Sequence, residues 1–197
     1  MKKLALTILF LLPFTASAIT SLVGNSDDGP IGGASPDYNA GSSYTAVATG
    51  DLSIIEVYAE ATEPLENAVC GVYANAAGVP GALLGATSAF ALSAGLNQTD
   101  MSPSVSIVSG TVYFLTCDTS NQNIGFTLNT GSGVWAQKAL TYDGTLPDPY
   151  GTPDATDDHR LSIEGYAEDA AAASPSQDQF IIFGLLQILS KQEIFTV

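Results

Sequence analysis

Basic side chains are scarce in this chain. Five Lys and Arg stand against twenty Asp and Glu in 197 residues, for a formal net charge of −15. Lys2 and Lys3 lie at the N-terminus, which leaves Lys138, Arg160 and Lys191 for everything after it. Phosphate contacts need Lys or Arg, so three scattered ones exclude nucleic acid as a partner and disfavour an anionic membrane surface. Cysteine is limited to Cys70 and Cys117. They are too few for a zinc site and too far apart for a CxxC redox pair. His159 is the sole histidine, and no GxSxG elbow accompanies it. No catalytic residue is therefore assigned, and His159 reads as a surface-loop residue. No apolar run reaches the roughly 20 residues of a spanning helix, so no transmembrane span is expected once a leader is removed.

That leader is residues 1–18. Lys2 and Lys3 give the positive start, Leu4 to Phe14 the apolar stretch, and TASA ending at Ala18 the small residues of a cleavage site. The expected location is extracellular or at the cell surface, with the periplasm as the other oxidising compartment. An acidic surface then serves solubility. In such a space Cys70 and Cys117, each inside a strand-like run, are expected to form a disulfide. Closing that loop is worth roughly 4 kcal/mol in the chain-entropy view. The competing reading is a pair of buried thiols.

Short segments of period two dominate the middle of the chain. LSIIEVYAE, VCGVYA, SVSIVSG, TVYFLTC, NIGFTLN, VWAQKALTY and RLSIEGYAE are rich in β-branched and aromatic residues. In the last of these, Leu161 and Ile163 share one face, and Ser162 and Glu164 the other. The joints hold Gly, Asn, Asp or Ser, and no long amphipathic helix intervenes. The expected fold is all-β, an antiparallel β-sandwich with Greek-key or jelly-roll connections. GALLGATSAFALSAG is ambiguous and reads as two short strands or a turn around Leu83 and Phe90. The division expected is a loop-rich segment 19–44, a sandwich 45–167, a small-residue linker 168–179 and an apolar segment 180–197. FIIFGLLQILS places eight large apolar residues in eleven. It suits a closing strand, a strand given to a neighbouring subunit through self-association, or a membrane-associated segment.

The run CGVYANAAGVPGALLGATSAF (Cys70 to Phe90) resembles a β-sandwich module of exported bacterial proteins. There "VYAD" is followed by "GxPGxLL" and later by "aGTxYxL", matched here by IVSGTVYFLTCD. Asn75 and Gly78 suit a first tight turn, and Pro80 with Gly81 a second. The resemblance spans about Tyr38 to Glu168 and implies a jelly-roll fold, a surface setting and carbohydrate-binding or display roles. It names no ligand.

Two groups of candidate site residues stand out. Asp143, Asp148, Asp154, Asp157 and Asp158 crowd one Pro- and Gly-rich loop and could hold calcium, which takes six to eight oxygens. The bland alternative is a wet acidic loop. Asp27 and Asp28 form a weaker second candidate. Trp135, Tyr142 and Tyr150 could stack on sugar rings, or fill the core instead. The expected function is non-enzymatic binding of a polysaccharide or other cell-surface component, with no cofactor beyond structural calcium. The alternatives are a structural or adhesive subunit assembling through 180–197, and a cell-surface glycoside hydrolase. A hydrolase would need two carboxylates roughly 5 to 9 Å apart across a cleft.

Overall fold

In the computed structural model, residues 19–25, 38–59, 67–120, 126–127 and 133–168 are described. The leader, Asp27 and Asp28, residues 169–179 of the expected linker and the apolar segment 180–197 lie outside them. The strands are, in order, β1 (Ile19–Asn25), β2 (Tyr38–Thr45), β3 (Gly50–Ala59), β4 (Asn67–Ala76), β5 (Val79–Ala86), β6 (Phe90–Ala91) and β7 (Gly95–Ile107). They continue as β8 (Val112–Thr119), β9 (Phe126–Thr127), β10 (Trp135–Ala139), β11 (Ala155–Asp157), β12 (Arg160–Leu161) and β13 (Ile163–Glu168). No helix occurs among the described residues.

Two antiparallel sheets form the expected sandwich. One has four strands in the order β1-β13-β3-β7. The other runs β11-β10-β2-β8-β4-β5, with β6 also on β4. A small pair, β9 with β12, completes the set. The chain passes back and forth between the sheets, so most neighbours are distant in sequence. Period two explains the layering. On β13, Ile163 turns inward while Glu164 turns outward; on β3, Ile55 and Val57 turn inward while Glu56 turns outward. The inward residues make the main core, with Leu22, Leu52, Ile107, Leu115 and Leu161 almost wholly buried. Each such side chain stabilises the fold by about 1.5–3 kcal/mol.

A second core lies on the outer face of the seven-strand sheet. Val69, Tyr73, Phe114, Ala136, Leu146 and Tyr150 form it. Residues 140–154, between β10 and β11, cross that face as a strap. Tyr150 N–H donates to the Gly81 carbonyl at 3.0 Å, Leu83 N–H donates to Asp148 at 3.0 Å, and Tyr73 O–H donates to the Pro147 carbonyl at 2.8 Å. Leu146 sits where a side chain on Gly71 would be, since a Cβ there would come within 2.5 Å of its Cδ1.

Three expectations need correction. The stretch 19–44 is not simply loop, because β1 and most of β2 fall within it. Residues 39–44 are buried although most of them are small or polar, because β2 is covered by the main core on one face and by the strap on the other. Glu168 belongs to β13 rather than to a linker. The hairpin β4–β5 has one turn, not two. Ala77 (φ 54°) and Gly78 (φ 93°) both take left-handed conformations, as a type I′ turn demands. Asn75 caps it by accepting from Gly78 N–H at 2.9 Å. Pro80 and Gly81 lie in β5, at the edge of its sheet, where a missing N–H is tolerated.

Candidate ligand-binding site

The aromatic trio inferred from sequence is not brought together. Trp135 faces the main core opposite Ser42, 9 % exposed, with the His159 imidazole edge-on at 5.9 Å. Tyr150 lies on the other side of the same sheet, fully buried, and its hydroxyl donates to the Asn39 carbonyl at 2.7 Å. Tyr142 is half-buried against the second core. A ring sealed in a core cannot stack on a sugar, so Trp135 and Tyr150 are packing residues.

The five aspartates also disperse. Asp143 accepts from the N–H and hydroxyl of Thr145 at 2.9 and 2.7 Å. These bonds hold its carboxyl below the usual range. Asp148 pins the strap to β5, and Asp154 accepts from Ala139 N–H at 2.6 Å. Only Asp157 and Asp158 converge, with His159, their ligand atoms lying within 4.8 Å of one another on the exposed rim. Asp157 pairs with His159 at 3.1 Å. Its carboxyl is lowered first by the Asp158 N–H. Asp143, Asp148, Asp154 and Asp157 each accept from a backbone N–H.

A different cluster occupies the outer face of the four-strand sheet. Glu56 on β3 and Glu164 on β13 are directly opposed in register, each 9 % exposed. Like charges so placed repel, and nearby donors offset this. The Tyr166 hydroxyl lies 2.8 Å from Glu164 Oε2 and 3.2 Å from Glu56 Oε1. Ser21 of β1 donates to Glu164 Oε1. Gln98 of β7 donates to Glu56 Oε2 at 2.7 Å. Burial, followed by the hydrogen bond to Glu164, pushes the Tyr166 phenol well above its ordinary pKa.

The cluster has a sequence signature that strand-by-strand reading overlooks. IEVYAE (Ile55 to Glu60) and IEGYAE (Ile163 to Glu168) repeat one pattern. Glu and Tyr two apart share a face. Antiparallel pairing then opposes the two glutamates and sets Tyr58 and Tyr166 on opposite sides of them. Both tyrosines are half-buried, and Leu96, opposite Tyr58, is 54 % exposed. The face is rich in acceptors. A phenol has a single hydrogen, so Tyr166 serves one carboxylate at a time, while each carboxylate can accept about four bonds. The Lys and Arg residues among the described ones, Lys138 and Arg160, lie on β10 and β12 rather than on a strand of this sheet.

No protein-family model, curated protein or solved structure matches the chain.

Proposed function

We propose that the chain is an exported, non-enzymatic binding module. Its ligand is a glycan or similarly hydroxyl-rich surface polymer, taken on the outer face of the four-strand sheet. The observation that carries this reading is the surplus of acceptors at Glu56 and Glu164, flanked by Tyr58 and Tyr166. Sugar hydroxyls supply the missing donors, and ring C–H faces suit half-buried tyrosines. The leader-like residues 1–18 support export, and the CGVYANAAGVPGALLG hairpin supports kinship with exported bacterial sandwich modules. The same carboxylates argue less well for hydrolysis. A glycosidase needs its acid and its partner on opposite sides of the scissile bond. These two lie side by side on one sheet and share a phenol.

Affinity electrophoresis against neutral polysaccharides tests the assignment. At least one should retard the wild type, with Glu164→Gln and Tyr58→Ala each weakening retention about tenfold, or ~1.4 kcal/mol, at unchanged melting temperature. Equal retention by both variants would remove the site from this face. No retention by any polymer would remove the glycan, and release of reducing ends would make the protein a hydrolase.

A second reading rests on FIIFGLLQILS, whose apolar residues favour assembly. Light scattering should then give a larger particle for the full chain than for one stopped after Gln179. Two identical monomers would rule this out.

A further inference from the structure

A half-turn relates the two halves of the outer face of the four-strand sheet. The repeated hexapeptides set Glu56 and Tyr58 on β3, and Glu164 and Tyr166 on β13. These strands are antiparallel, with Glu56 opposite Glu164. Rotation by half a turn about an axis through the sheet, between the two glutamates, therefore carries each glutamate onto the other and each tyrosine onto the other. The outer strands follow the same plan. Gln98 of β7 donates to Glu56, and Ser21 of β1 donates to Glu164. An exposed apolar residue stands beyond each ring. Leu96 is opposite Tyr58, and Ile19 is two residues along β1 from Ser21, which is opposite Tyr166. The departure from symmetry is the Tyr166 hydroxyl, which reaches both carboxylates while that of Tyr58 bonds to neither.

Register also sets the span of the row. Tyr166 stands opposite Ile54, four residues before Tyr58 on β3. The usual strand rise and strand spacing then put the Cα atoms of the two tyrosines about 14 Å apart. That separation exceeds a single sugar ring and suits a run of several. The row stays open past both tyrosines, where Leu96 and Ile19 are 54 % and 47 % exposed, so a chain can continue outward on both sides. Building on the glycan reading above, we propose that this face grips an internal stretch of a glycan chain, several rings long, and accepts it in either chain direction. A polymer turned end for end meets the same carboxylates and the same rings, because the half-turn maps one half of the site onto the other. Chain ends play no part in recognition.

Fluorine NMR of the full-length protein carrying fluorotyrosine tests this, with the two signals assigned from Tyr58→Phe and Tyr166→Phe. The probes are oligomers of one to six units from whichever of β-glucan, mannan, xylan or galactan most retards the wild type. Affinity should rise about tenfold or more from the single sugar to the trimer, and the Tyr58 and Tyr166 signals should shift together. Reducing the terminal sugar of the tetramer to its alditol should leave affinity unchanged within about twofold. A nitroxide attached at that end should broaden both signals. Broadening of one signal alone would fix a single chain direction, and a shift of one alone would confine the site to one half. Either result overturns the proposal with glycan binding intact, as would a single sugar that binds as tightly as the tetramer. Retention by none of the four polymers would bring down the glycan reading and this one together.

Discussion

Replacing Tyr150 by alanine is expected to destabilise the protein by about 3–5 kcal/mol, the range for deleting a large buried aromatic. The ring is wholly enclosed and stands edge-on to Tyr73 at 5.2 Å. Its backbone N–H is tied to Gly81, its carbonyl to the Lys138 ammonium, and its hydroxyl to Asn39. Strands β2, β4, β5 and β10 thus meet at one residue, two of them through its side chain and two through its backbone. Tyr150→Phe keeps the ring and removes the hydroxyl, so it should cost only about 1 kcal/mol or slightly more. Urea unfolding measures both, and limited proteolysis within residues 140–154 shows whether the strap lifts before the sandwich unfolds. An alanine variant within about 1 kcal/mol of wild type, with the strap still protected, would mean that Tyr150 does not anchor it.

Removal of the disulfide is the second large effect. Cys70 and Cys117 are bonded, in register on β4 and β8, with Cα atoms 4.1 Å apart. This is the close approach of an antiparallel pair not joined by mutual hydrogen bonds, about 4.5 Å. The bridge stays within one sheet and faces the main core, where both sulfurs are shielded. It closes a sequence separation of 47, so its principal effect is on the unfolded chain. Cys70→Ala/Cys117→Ala is expected to lose about 2–5 kcal/mol. The native protein should resist thiol reductants until denaturant opens it. Coincident urea curves with and without reductant would contradict this account.

Two kinds of strand were legible in the sequence. β3 and β13 alternate one apolar face with one polar face, and β8, buried on both faces, announces itself by β-branched and aromatic residues. β2 carries neither signal, because most of its buried residues are small or polar. The space beside β8 admits only small groups there: a Cβ on Gly41 would lie 2.2 Å from the Leu115 carbonyl oxygen. The first half of β7 was equally opaque, since Gln98 and Asp100 on this edge strand turn outward and its Asn97 is occupied with Ser93. For the site, composition drew attention to conspicuous residues, the lone tryptophan and the crowded aspartates. Burial and backbone capping had already engaged most of them. Glu56 and Glu164 were visible individually. Their meeting depends on pairing β3 with β13 across more than half the sandwich, which no local pattern dictates, although the repeated IExYAE hexapeptide hints at it.

The pairing of β1 with β13 sets Ile19 opposite Glu168. Whatever chain precedes the first and follows the second leaves the sandwich from a single corner, one strand spacing apart. Tension applied through both connections would therefore pull across the β1–β13 hydrogen bonds and break them one rung at a time, as a zipper opens. Tension applied at opposite ends of these two strands would instead load the rungs together. This edge of the sandwich therefore yields more easily in the first geometry than in the second.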